Sequence, residues 1–198
     1  MTRRTATRSL FVGVGAAGAL AILRPWTIRP IAPAHDITSA TETADDLWNR
    51  VVVEATATAI DVSSSAGAPS MATTGRRAWF VKGQGTVTGV DAISRARVAR
   101  VTLDDHARSV VSIQIGPVVR GSAVRDAATF IEFSNFPNQS AFAAVSTALN
   151  DRVLRDVLGS IDPASLDGRR VEFVGAATNG TSGLDVVPVV LHVSPARS

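Results

Sequence analysis

The chain has 198 residues, 45% of them hydrophobic, with a formal net charge of +3, no cysteine and no tyrosine. That length accommodates one main domain of roughly 100–200 residues with enough chain to bury a core. The lack of cysteine excludes disulfides, thiol nucleophiles, cysteine-ligated zinc and iron–sulfur clusters, and leaves no lipid-accepting thiol in these residues. The charge is unevenly spread. Residues 1–29 hold Arg3, Arg4, Arg8, Arg24 and Arg29 and no acid, whereas residues 30–198 hold fifteen basic and seventeen acidic groups, 15 − 17 = −2. A slightly acidic body argues against nucleic acid as a partner, because affinity for polyphosphate comes largely from basic charge.

Behind the basic residues Arg3, Arg4 and Arg8 lies an uncharged, apolar-rich stretch, residues 9–23, ended by Arg24-Pro25. As a helix it would reach about 22 Å, short of the ~30 Å hydrocarbon core. Three readings fit. It is a signal peptide cleaved near Ala32-Pro33-Ala34, an uncleaved signal anchor with Trp26 at the interface, or an apolar helix of a buried core. The first two place the rest of the chain outside the cytoplasmic membrane, with the basic flank inside.

Residues 30–61 read as a proline-bearing tether followed by an amphipathic helix from Thr41 to about Ala59. Ser39 and Glu42 form a capping box, and Leu47, Trp48, Val51, Val52 and Ala55 make the apolar stripe. Residues 62–75, rich in Ser, Ala, Gly and Thr, read as a flexible loop. From Arg76 the period changes. The spacing predicts a long strand through Trp79, Phe80 and Val90, bent at Gly83, Gly85 and Gly89, then strands over 98–103 and 109–115 with a turn at Asp104-Asp105-His106. Gly116-Pro117 breaks the third strand, and residues 127–133 suggest a further strand or a short turn of helix. Asn138 is placed to cap a helix running to Leu158, with Phe142, Val145, Leu149, Val153 and Val157 as its buried stripe. Strands over 171–176 and 186–193 follow, joined by a turn at Asn179-Gly180 and Ser182-Gly183. Three strands, a helix and two strands is the element order of a small oligonucleotide/oligosaccharide-binding (OB) barrel. The expected class is therefore mainly β (α+β), with an OB-like barrel domain over residues 76–198.

The stretch Ile113-Gln114-Ile115-Gly116-Pro117-Val118-Val119-Arg120-Gly121-Ser122-Ala123-Val124-Arg125-Asp126, with Phe136-Pro137-Asn138-Gln139, Ala148-Leu149-Asn150 and Val171-Glu172-Phe173-Val174-Gly175-Ala176, followed by Pro188-Val189, resembles a bacterial family of predicted periplasmic lipoproteins, domain-of-unknown-function family 2291. The resemblance runs from about Ala44 to Val193 and is strongest after Lys82. It implies an exported, membrane-tethered domain with an OB-like core and no established activity. It also implies a role beside simple-sugar ABC uptake systems, whose genes often neighbour those of the family. Trp26 stands where family members carry the lipid-accepting cysteine, which favours an uncleaved helical anchor here. The Ser/Ala/Gly loop ahead of Arg76 is shorter than its family counterpart.

Candidate chemistry concentrates in residues 116–126 and around Asn138. Arg120 and Arg125 flank a Gly121-Ser122 step, and Asp126 follows. Two guanidiniums and free backbone N–H groups would suit a carboxylate, phosphate or sugar; equally, Gly121 makes a tight turn and Asp126 locks an Arg. Asn138, Gln139 and Asn150 offer amide hydrogen bonds to a sugar, or serve as caps and loop locks. Trp79 or Phe80 would give a stacking platform, although one of two strand neighbours faces the core, and Trp48 reads as a docking residue. His35, His106 and His192 match no metal-ligand spacing, no nucleophile elbow or phosphate loop is present, and Asp104-Asp105 reads as a solvated turn. No catalytic residue, metal or cofactor is expected. The sequence thus points to a non-enzymatic envelope protein on the cytoplasmic membrane that contacts ABC transporter components. A sugar- or anion-binding module is the alternative, and a hydrolase the most distant one.

Overall fold

A computed structural model describes residues 35–63, 77–104, 109–181 and 183–194, with side chains from residue 46 onward. All of these belong to one compact unit, Ala34–Ser198. The apolar stretch 9–23 and its possible cleavage site lie outside the described residues, as do 64–76 of the expected loop and 105–108 of the expected turn. No helix among the described residues is long and apolar enough to cross a membrane.

Helix α1, His35–Thr58, starts earlier than its sequence suggests, so Ser39 lies within it instead of capping it. Trp48, Val51 and Ala55 are buried at three- and four-residue spacing, which puts one face of α1 into the core. Full burial of a side chain such as Val51 contributes about 1.5–3 kcal/mol. Strand β1, Ile60–Asp61, follows at once and runs parallel to the next strand, Ile60 opposite Val81 and Asp61 opposite Lys82. The Val62 amide extends this pairing by donating to the Lys82 carbonyl at 2.9 Å. The start of the expected loop is thus sheet edge, and Val62 is buried in the core.

Strand β2, Trp79–Asp91, is shared between two partners. Its first half pairs antiparallel with β5, Arg170–Gly180, from Trp79 opposite Ala177 to Thr86 opposite Arg170. Its second half pairs with β3, Val98–Leu103, from Gly85 opposite Leu103 to Asp91 opposite Val98, with a register shift between Val87 and Gly89. Gly85 sits where both pairings overlap, and a Cβ there would lie 2.2 Å from the Thr102 carbonyl oxygen. Strand β4, Val110–Gln114, pairs with β3 and runs parallel to β6, Gly183–Val193, which returns to β5. The ring β2-β3-β4-β6-β5 closes on β2. A closed five-strand barrel with its main helix between the third and fourth strands is the OB arrangement, in a chain of mixed α+β class.

Residues 127–133 form no strand. The short helix α2 is Ala123–Ala127, and Phe133–Asn135 is a single 3-10 turn. The Thr129 amide is taken by the Glu54 carboxylate on α1, so it is not free to join a ladder. Helix α3, Gln139–Arg152, is capped by Asn138, whose side chain accepts from the Ala141 amide at 2.8 Å. A π turn, Val153–Val157, prolongs it. Val145, Leu149 and Val153 are fully buried, while Phe142 and Val157 are half-buried against them. Strands β5 and β6 are longer than expected. Gly180 pairs with Gly183, so Asn179-Gly180 closes the strand and does not form the turn itself. Trp79, Phe80 and Val81 are all buried, because α1 and α2 pack on β2 and cover its start.

Candidate functional site

The crossover from β4 to α3 is built from close approaches that only certain residues permit. A Cβ at Gly116 would lie 2.3 Å from the Ala96 backbone, so this glycine lets β4 end against the β2–β3 connection. The Gln114 side chain then brackets Arg120: it accepts from the Arg120 amide at 2.8 Å and donates to the Arg120 carbonyl at 3.4 Å. Gly121 turns with φ +86°, and its carbonyl accepts from Asn150 Nδ2 at 2.9 Å. Ser122 Oγ donates to Asp126 Oδ2 at 2.6 Å, and Arg125 Nε donates to Asp126 Oδ1 at 2.8 Å. The same guanidinium donates to the Phe142 carbonyl at 3.1 Å and lies 3.8 Å from that ring's centroid.

Arg125, paired with Asp126, is thereby joined to the first turn of α3, where Asn138 is the cap, and Gly121 to Asn150 in its last turn. Arg125 and Asp126 are engaged with each other and with the fold. The Arg120 side chain and Gln139 are exposed. The crossover therefore offers a ligand one open guanidinium and one open amide.

A groove of about 500 Å³ lies along α1, lined by Asn49, Arg50, Val53, Glu54, Thr58, Thr129 and Phe130. Glu54 forms its wall by accepting from the Thr129 amide at 3.0 Å and from Thr129 Oγ1 at 2.6 Å. Arg50 lies 4.0 Å from the centroid of the Phe130 ring. Val53 is 68% exposed in the groove, whereas Trp48 on the same helix is buried in the core. Sequence reasoning missed this groove. The available signal was Val53, an apolar residue outside the buried stripe, together with Phe130 in the apolar run after α2.

The outer face of β2 and β3 carries polar side chains, while Val110 on β4 is exposed beside them. Thr88 and Thr102 hydroxyls are 3.2 Å apart, and the Arg100 guanidinium lies over Gly89. Trp79 and Phe80, the candidates for a stacking platform, are both buried. Asp104 pairs with Arg170. His192 is exposed on β6, and no group of three or more metal-ligating side chains exists among the described residues. Burial by its surroundings holds the Asp185 carboxyl above the ordinary carboxylate range.

The family model described as "Predicted periplasmic lipoprotein (DUF2291)" matches residues 16–192. No curated protein matches the chain. Among solved structures, an OB-fold protein of Thermotoga maritima is similar over 84% of this chain and 100% of its own, at 14% identity and a TM-score of 0.48. The Stn1–Ten1 complex of S. pombe is similar over 59% of each chain, at 15% identity and a TM-score of 0.28.

Proposed function

The chain belongs to the predicted periplasmic lipoprotein family, and from that premise we propose that it is a non-enzymatic envelope protein that assists simple-sugar ABC uptake through protein contact. Residues 9–23 tether it to the cytoplasmic membrane in place of the lipid, since Trp26 stands where a lipid-accepting cysteine would fall and the chain holds no cysteine. The barrel then works outside that membrane, without nucleic acid. The observation that carries the contact reading is the open groove on α1, where Val53 is 68% exposed beside the Phe130 ring. Exposed apolar surface rimmed by polar groups such as Asn49, Arg50 and Glu54 is characteristic of protein interaction sites.

A photo-crosslinking residue at position 53 of the full chain, expressed in its own cell, tests this. The expected product joins the chain to a subunit of a sugar ABC transporter, while the same residue at position 88 on the barrel's polar face gives none. Crosslinks from position 88 alone, or from position 53 only to proteins unrelated to transport, overturn the reading. Recovery of the uncrosslinked chain in the soluble periplasmic fraction overturns the tether.

A further inference from the structure

Two uncommon backbone features border one cleft at the end of the barrel. Arg97 has φ +37°, the single non-glycine residue with positive φ among the described residues. Its conformation is fixed from both sides: its amide donates to the Ser94 carbonyl at 2.9 Å, and its own carbonyl accepts from the Ile115 amide at 3.0 Å. Gly116 donates to the neighbouring Ala96 carbonyl at 2.8 Å. Opposite lies the π turn Val153–Val157, closed by the Leu158 amide on the Val153 carbonyl at 3.0 Å. Left-handed non-glycine residues and π turns both cost stability and cluster at functional sites.

The cleft between them measures about 300 Å³. Arg97 faces Ile115, Leu154, Leu158, Ile161 and Pro163 across it. Arg97 is half-buried, and its side chain has no hydrogen-bond or ion-pair partner among the described residues. It is the one charged side chain among the lining residues, and the other side chains of the lining are apolar. A few convergent polar groups in an apolar cleft is the usual composition of a small-molecule site.

We propose that this cleft binds a small monocarboxylate with an apolar body, its carboxylate on the Arg97 guanidinium and its hydrocarbon part against Leu154, Leu158 and Ile161. The planar fork of a guanidinium matches a carboxylate's two oxygens. A single cation also balances a single negative charge. A phosphate monoester, at about −1.5 to −2 near neutral pH, would leave charge uncompensated in apolar surroundings. The site is separate from the groove on α1 and does not depend on any transporter contact.

The test is a titration of the full chain in detergent with 4-methylpentanoate, acetate, 4-methylpentanamide and inorganic phosphate, read by NMR at the Arg97, Leu154 and Leu158 amides. 4-Methylpentanoate should shift these signals saturably. Acetate and the amide should each bind at least about tenfold more weakly, the loss of roughly one charge-assisted hydrogen bond or of the apolar contact. Arg97→Gly is the decisive variant, because glycine accepts the positive φ. It should melt no lower than the parent protein and lose about tenfold or more in affinity. Binding no tighter than about 1 mM, equal binding of acetate, preference for phosphate, or unchanged affinity in Arg97→Gly overturns the proposal. If that variant fails to fold, Ile161→Glu decides, since a carboxylate on the half-buried rim must block the site. Undiminished binding there overturns the proposal as well.

Discussion

Arg125→Ala separates a locking role from a ligand-binding one at the crossover. In the folded protein the Arg125 side chain is 13% exposed and serves three partners: Asp126 at 2.7 Å, the Phe142 carbonyl at 3.1 Å and the Phe142 ring at 3.8 Å. Asp126 is 34% exposed and keeps its bond from Ser122, so losing the ion pair costs only about 1 kcal/mol. The half-buried bond to the carbonyl is worth about 1.5 kcal/mol and the ring contact about 0.5–1 kcal/mol. The total is near ~3 kcal/mol, which for a unit of this size lowers Tm by about 6–12 °C. Melting of the full chain in detergent, followed by fluorescence of the buried Trp48 and Trp79, reads this directly. Combined with Asp126→Asn, the loss should be less than additive, because the two changes remove one shared pair. A fall in Tm below about 2 °C would refute the argument that Arg125 fastens the crossover to α3.

Gly116→Ala should prevent stable folding, costing more than about 3 kcal/mol, because its Cβ would lie 2.3 Å from the Ala96 backbone. Gly121→Ala meets nothing within 4 Å and should cost only about 1–2 kcal/mol for its φ of +86°; the two soluble yields and Tm values should differ accordingly. Glu54→Ala removes the acceptor for the Thr129 amide and hydroxyl and should cost about 1 kcal/mol, visible in urea midpoints and in faster amide exchange at Thr129. Asp185, raised from 3.8 by burial, holds its proton to higher pH when folded than when unfolded. Its contribution to stability therefore falls as pH rises from 3.8 through the raised value, and Asp185→Asn should remove that decline in a urea series across pH.

Local periodicity carried most of the barrel. In β3 the inward set Ala99, Val101 and Leu103 alternates with outward Arg100 and Thr102, as the pattern demands. The stripe Val145, Leu149 and Val153 is legible for the same reason, and Asn138 announces its helix by cap chemistry. What local pattern misses is set by distant partners. Two residues of β1 become a strand because β2 offers an open edge. Residues 127–133, open in the sequence between a strand and a short turn of helix, form no strand, and Glu54, seventy-five positions earlier, takes the Thr129 amide. The π turn hides inside a helix stripe that continues unchanged into Val157. Arg97 gives no sign of its positive φ, which follows from the meeting of two chain segments at Ala96 and Gly116. At the crossover the sequence names the residues but not their task, since an arginine beside an aspartate is the same text whether it holds a ligand or a helix. The distance to the Phe142 carbonyl is what reveals Arg125's engagement with α3.

The double duty of β2 sets when the barrel can exist. Trp79 has Ala177 as its sheet partner, nearly a hundred positions later, and Thr86 has Arg170. Nothing nearer in the sequence stands in for β5, because β1 meets that half of β2 only at Val81 and Lys82 and β3 pairs with the far half. During synthesis the ladder of the first half of β2 therefore stays incomplete until almost the entire chain has emerged. Long-range closure of this kind is slow. The topology thus makes closure the last event of the fold: the sheet stays open along β2 and β4 until β5 and β6 have both been made.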